Sequence, residues 1–513
     1  MRDLRAGVWI ALAVLIFTIA LVNVFAQNGA QNRPTVIPRT WDDQAMATLE
    51  LPLATASASP LPVSAEYYYR IPVRPIYKTY PVYHPDEEPS GYFERLTALE
   101  PEIVTFDFSN ITTADEWIRI GEIVFDTPID YDIAGSPAQF RDASYYTTLG
   151  IRVARDGTVP FVRYVVREKG KVEVGVLGCG TCHTRVMPDG SIVKGAQGNF
   201  PFDSTAPPDL PAAALPVIRR LVKMLYAVPW LDERDPARPF ETMTYREMLE
   251  YGRAIPPGVQ ARHGTGLHMP AQIPDLIGVR DRRYLDHTGL VRHRDIADLM
   301  RYAALNQSVD LYSKHGNFVP VAEDYRTAPE PTVESPFPFA NGRYSDEQLY
   351  ALAQFVYSLQ PPTNPNGASP LTGRGQEVFA RAGCRACHTP PLYTNNKLIP
   401  AQELRPAATR IEAADVMPRS VGTNPDLALR TRRGTGYYKV PSLKGVWYRG
   451  PFEHSGSVVT LEDWFDPRRL RDDYVPTGWK GYGIATRAVK GHEFGLTLSP
   501  ANKRALIAFL KTL

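Results

Sequence analysis

Two copies of one short motif use every cysteine in the chain. Cys179-Gly180-Thr181-Cys182-His183 is the first and Cys384-Arg385-Ala386-Cys387-His388 the second, in a sequence of 513 residues with four cysteines. Cys-x-x-Cys-His is the attachment pattern of c-type haem. Two thiols about one helical turn apart meet the two vinyl groups of one porphyrin, and the adjacent imidazole turns onto the iron. A zinc site needs four ligands and leaves the histidine of both copies unexplained. A thioredoxin-like pair needs a βαβ setting, and plain disulfides need only an oxidising compartment. Two matches that use all four cysteines favour two covalently bound haem c groups. Cys179, Cys182, Cys384 and Cys387 then attach them, with His183 and His388 as iron ligands.

The N-terminus points to export. Arg2 and Arg5 precede an apolar run from Ala6 to Val22, and Val24-Phe25-Ala26 follows. That is the layout of a secretory signal, although the run approaches the roughly 17–25 residues that span a bilayer. A cleaved signal or a retained anchor at 1–26 both put the bulk of the chain in the periplasm or another extracytoplasmic space. Membrane contact is then expected only through this segment. Lys and Arg (57) nearly balance Asp and Glu (55), which gives no support to nucleic-acid binding. The 47 prolines predict long irregular stretches.

The chain also repeats itself. Pro274-Asp275-Leu276-Ile277-Gly278-Val279 returns as Pro441-Ser442-Leu443-Lys444-Gly445-Val446. Thirteen residues after each proline stands a histidine, His287 and then His454, followed by a hydroxyl residue and glycine. Ser345–Leu359 aligns without gaps on Ser499–Leu513, and both read as amphipathic helices. Ser345 with Gln348 forms a capping box, and Ser499-Pro500 is an N-cap with proline in the first turn. A duplicated haem domain follows, divided as 96–360 and 361–513, with a Pro- and Tyr-rich extended segment at 27–95 wrapped on the surface. Before the second motif a short helix ends at Gly383. Before the first stands a valine-rich, β-like stretch, so the first domain is embellished.

Val440-Pro441-Ser442-Leu443, Gly450-Pro451-Phe452-Glu453-His454-Ser455-Gly456-Ser457 and Thr460-Leu461-Glu462 resemble the Pro-Ser-Leu-Arg, Pro-Tyr-x-His-x-Gly-Ser and Thr-Leu block of the bacterial dihaem cytochrome c peroxidase superfamily. The ending Gly491-His492-Glu493-Phe494-Gly495 is similar to its dihaem rubber-oxygenase-like branch. The resemblance covers about residues 170–513. It implies a mainly α fold of two cytochrome c-like domains with long irregular loops, and electron transfer between unequal haems. It also implies a redox partner protein, a small oxidant such as peroxide or dioxygen, and calcium between the domains, for which no residues here stand out. In the superfamily the histidine of the Pro-x-Leu block lies at the haem edge, a place carried over to His287 and His454.

The sixth iron ligand separates an electron-transfer haem from one open to oxidants. His492 has no counterpart ahead of Ser345, and the resemblance makes it the distal ligand of haem 2, with His454 and Met417 as alternatives. For haem 1, His263, His268, Met269 and His315 are candidates without a recognisable context, and an open or weakly ligated iron is expected. Peroxidases of the group place a methionine soon after the His-x-Gly block; Ser457–Asp466 contains none, a departure from the strict peroxidase pattern. Trp230 stands at a distance that would suit a position between the haems, as a tryptophan does in the family, although core packing also accounts for it. Residues 215–223 read as a half-buried helix with cations outward. The expected function is a haem oxidoreductase, with peroxide or dioxygen chemistry at haem 1 and electron transfer through haem 2. The alternative is a pure electron carrier with both haems six-coordinate.

Overall fold

A computed structural model describes residues 37–208, 214–231, 243–266, 269–321, 342–404, 411 and 413–513. The expected signal or anchor, His268 and residues 322–341 lie outside them. Among the described residues no helix is long and apolar enough to cross a membrane.

The two sequence-predicted closing helices are present with their caps. Asp346–Ser358 starts at Ser345, whose hydroxyl and the Gln348 side chain form the reciprocal capping box. Pro500–Leu510 starts at Ser499, which accepts from the Asn502 amide. Each crosses a partner helix. Ala114–Asp126 (α1) crosses Asp346–Ser358 (α4), and Pro370–Arg381 (α5) crosses Pro500–Leu510 (α6). The crossings are copies of one another. A Cβ on Gly121 of α1 would lie 2.0 Å from the carbonyl oxygen of Ala351, and one on Gly375 of α5 would lie 2.0 Å from that of Ala505. Four residues on, Phe125 meets Phe355 at 5.1 Å and Phe379 meets Phe509 at 5.4 Å, both with ring planes inclined by 60°. Only glycine lets the backbones approach this closely.

What differs is the path from helix to motif. In half two, Ala382 and Gly383 alone separate α5 from Cys384, with Gly383 in the left-handed conformation (φ 79°). In half one, residues 127–178 intervene. They hold the strands Asp130–Tyr131 (β2), Thr158–Glu168 (β3) and Lys171–Val176 (β4), joined by Thr79–Tyr83 (β1) in the order β1-β3-β4-β2. The β3–β4 hairpin is valine-rich and buried on both faces at Val165, Val166, Val174 and Val176, as β-branched side chains favour. The content is therefore mixed, with fifteen helices among the described residues beside six small sheets, where a mainly α fold was expected. The inserted hairpin accounts for much of the difference.

The N-terminal segment also departs from the expected surface wrap. Trp41, Leu49, Tyr68 and Ile76 sit in the largest apolar core with Met300, Leu349 and Leu352, and Trp41 stacks on Tyr68 at 4.4 Å. Large aromatics gain too much by burial to lie outside.

The two repeat blocks face each other about a pseudo-two-fold axis. The Gln272 amide donates to the His454 carbonyl (2.8 Å), and the Lys439 amide to the His287 carbonyl (2.9 Å). Gln272 and Lys439 occupy the same place in the repeat, as do His287 and His454, so the junction is isologous, like that of a homodimer.

Candidate haem centres

Both motifs sit on a short helical turn, Cys179–Cys182 (α2) and Cys384–Ala386. In each half the proximal imidazole is tied back by backbone carbonyls. His183 Nδ1 lies 3.0 Å from the Pro274 oxygen. His388 Nδ1 lies 3.1 Å from that of Tyr393 and is bonded as well by the backbone of Pro441. Pro274 and Pro441 are equivalent in the repeat. The recurring proline therefore has a role, since its carbonyl orients the ring of the motif histidine. Nothing in the sequence spacing announced this pairing.

In half two these groups open onto a cavity of about 270 Å³. Cys384, Cys387, His388 and His492 line it, with Phe379, Trp464, Phe465 and Phe494 as apolar wall. The ring centres of His388 and His492 are 6.2 Å apart. A metal bound between two imidazoles at about 2.0–2.1 Å from each nitrogen, with ~1.1 Å more to each ring centre, would set roughly the same separation. His492 Nδ1 is buried without a hydrogen-bond partner. Burial, then the neighbouring His388 and Arg469, push its pKa down to about 3, so the ring stays neutral, as a metal ligand must. Two thiols, two facing imidazoles and an apolar wall around one cavity fit a haem.

His492 is held in an unusual place. Its φ of 47° is left-handed, a conformation that costs a non-glycine residue about 1 kcal/mol or more. Its amide donates to Val421 (2.7 Å). Arg469, fully buried, donates to the carbonyls of Trp464, Val489, Gly491 and His492. That one guanidinium gathers the backbone of the whole turn.

Around the first motif the thiols meet amides instead. Cys182 Sγ lies 3.1 Å from Gln260 Oε1 and Cys179 Sγ 3.5 Å from Gln307 Nε2. Burial pushes both thiols up to about 12 and that of Cys384 to about 11. Such thiols are poor thiolates, which disfavours a redox pair. Among the described residues no cluster of three or more His, Cys, Asp or Glu is arranged to hold a metal ion.

The other candidates disperse. His287 and His454 both line the half-two cavity. His287 Nε2 lies 2.6 Å from the Gln272 carbonyl. His454 stacks on Tyr438 at 4.4 Å and pairs with Glu453 at 2.5 Å. Burial opposes ionisation of Glu453, but His454 holds its carboxyl down at about 2. Met417 is engaged by Asn395 at 3.3 Å and does not line the cavity. His263 pairs with Asp310 at 2.8 Å. His315 faces Trp230 at 6.1 Å between ring centres, so Trp230 is accounted for beside that histidine. Among the described residues no aromatic or histidine ring lies against His183 as His492 lies against His388. Leu215–Tyr226 (α3) is a helix with Lys223 exposed, in keeping with a half-buried amphipathic element.

No family model matches the chain. Over 188 residues it is 26% identical to a protein named cytochrome-c peroxidase IdrP2 of Pseudomonas sp. (strain SCT), a match covering 32% of this chain and 47% of that one. The chain thus spans about half the length of the curated relative it matches. Two solved structures are also similar. One is hydrazine synthase of Kuenenia stuttgartiensis pressurised with xenon (15% identity, 61% of this chain and 92% of that chain, TM-score 0.27). The other is a MauG-like protein associated with microbial copper homeostasis (19% identity, 60% of this chain and 92% of that chain, TM-score 0.28). In sequence, the similarity is to a cytochrome c peroxidase.

Proposed function

We propose that the chain is an exported dihaem c-type cytochrome acting as a haem oxidoreductase, of the cytochrome c peroxidase-like kind and nearest its rubber-oxygenase-like branch. The observation that carries the reading is the facing of His388 and His492 across a cavity lined by Cys384 and Cys387. In half two, the cysteines would attach the group and the two histidines would hold its iron from both sides. In half one, Cys179, Cys182 and His183 would hold the second. Bound haem supplies one-electron exchange at iron and, where the sixth position is open, a place for peroxide or dioxygen.

The chain's own part is positioning. Pro274 and Pro441 hold the proximal imidazoles, Arg469 holds the loop of His492, and Phe379, Trp464 and Phe465 exclude water. His492 has no counterpart in half one of the repeat, which supports unequal centres, hence chemistry at haem 1 rather than carriage alone. The relative named a cytochrome c peroxidase supports peroxide as the oxidant. A redox partner protein and a periplasmic location complete the proposal.

Resting-state electron paramagnetic resonance of the exported protein tests it. A low-spin signal from half two with a high-spin component from half one is expected. His492→Ala should convert the low-spin signal to high spin. An unchanged spectrum in that variant removes His492 as ligand, and two low-spin signals in the parent protein favour the pure carrier.

A further inference from the structure

Where the two halves meet, cations collect that the protein only partly neutralises. Arg282, Lys439 and Arg449 all line the half-two cavity. Arg282 and Arg449 are the same position of the repeat, and each donates to the carbonyl that follows its repeat proline, Arg282 to Asp275 and Arg449 to Ser442 (2.7 Å). Half one thus sends its copy of this arginine into the cavity of half two. Two carboxylates line it beside them, Asp275 and Glu453, and Glu453 is paired with His454. Asp275 takes the Tyr448 hydroxyl at 2.8 Å and stands 3.8 Å from Arg449 Nε, beyond hydrogen-bond reach. That Nε is buried with no hydrogen-bond partner, on a side chain 11% exposed.

Lys439 has no ion-pair or side-chain hydrogen-bond partner among the described residues. The largest charge effects on it come from Arg282, Arg262 and Arg449 on one side and Asp286 on the other. Asp286 is already engaged by Arg262 at 2.6 Å and Arg433 at 3.1 Å. Enclosed cations in excess need an anion, because an uncompensated buried charge is strongly unfavourable.

We propose that Arg282, Lys439 and Arg449 form a carboxylate site that takes the propionate groups of the haem attached to half two, so that one cofactor is gripped by both halves. Haem c offers two carboxylates on the edge away from its thioether bonds, and guanidinium is the side chain best shaped for them. The inference rests on the haem reading above and adds to it a role for a half-one residue at the half-two centre.

The test uses the full chain matured in a host that attaches haem c, with Arg282→Gln, Lys439→Met and Arg449→Gln. Each should shift the propionate bending bands of the low-spin haem in resonance Raman spectra. Each should also lower its reduction potential, since a lost cation favours the ferric form. A tenfold change in the reduction equilibrium, 59 mV for a one-electron couple, is the expected scale. Arg468→Gln, whose side chain is 78% exposed, should move neither, and Arg282→Lys should keep most of the potential. Where a Gln variant fails to retain haem, Arg282→Lys and wild type still report, because the lysine must alter the Raman bands while holding the potential.

Unaltered bands in every variant that carries two haems would overturn the inference alone. So would a wild-type potential that follows added phosphate, since the cations would then hold a soluble anion. A wild-type protein without two thioether-linked haems would end the parent reading as well.

Discussion

At the scale of single residues, the arrangement around His492, the ligand proposed for half two, shows how a side chain is held on an unfavourable backbone. A histidine at φ 47° persists only if its surroundings fix it. Arg469 does so from inside the protein, with four carbonyl acceptors and Trp464 under its guanidinium at 5.1 Å. Arg469→Gln should therefore loosen the turn, leave buried carbonyls unsatisfied, and cost roughly 2–4 kcal/mol in a denaturant titration. A purely structural role would stop there. A positioning role requires that part of the half-two low-spin signal become high spin and that added imidazole restore it. A destabilised variant with the full low-spin signal would reduce Arg469 to packing. Lysine should rescue poorly, because one ammonium lacks the fork that reaches several acceptors. His492 was legible in the sequence because the repeat leaves it unmatched. Arg469 was not, since a loop arginine is most often a surface cation and nothing local marks it as buried.

At the scale of elements, the crossing of paired helices is the unit that was duplicated. The closing helices could be read from their apolar spacing and caps, and they stand where the sequence puts them. Their partners were half hidden. Gly121-Glu122-Ile123-Val124-Phe125 and Gly375-Gln376-Glu377-Val378-Phe379 share Gly-x-x-Val-Phe, a signal that would have matched α1 to α5. The inserted hairpin moves α1 far from its motif, and a five-residue pattern without periodicity is easily passed over. The junction was out of reach for another reason. Its symmetric pair of bonds runs between carbonyls and amides, which side-chain identity does not encode, and the side chains that add to it, such as Arg433 on Asp286, pair residues far apart in sequence.

The crossing makes a prediction whose sign opposes helix propensity. Gly→Ala inside a helix ordinarily gains about 1 kcal/mol. Gly375→Ala should instead destabilise by about 2 kcal/mol or more, because the new methyl meets the Ala505 carbonyl, a backbone atom that cannot swing aside. Thermal unfolding of the variant checks this, and a raised melting temperature would show that the two helices are free to separate.

At the scale of the whole molecule, the N-terminal segment joins the two halves and brings an acid with it. Glu50 pairs its backbone with Val291 and places its carboxyl near Arg433 of half two and Asp310 and Asp286 of half one. Burial, against the opposing pull of Arg433, pushes its pKa up to about 8. The unfolded chain releases that proton near pH 4.3. The folded state therefore binds the extra proton between these values, and the stability present below about pH 4.3 is lost as pH rises to about 8. Asp203, pushed up to about 7 by burial, acts in the same direction. His315 acts in the other: burial lowers it to about 3, so its contribution falls away as pH drops below about 6.5. Glu50→Gln isolates one contribution to this balance. Denaturant titrations of the variant and the parent should coincide near pH 4 and diverge through neutrality, the variant gaining on the order of 5 kcal/mol by pH 9. Curves that stay parallel from pH 4 to 9 would mean that Glu50 is ionised in the folded protein, paired with Arg433, and that the junction tolerates one more negative charge than its neighbours suggest.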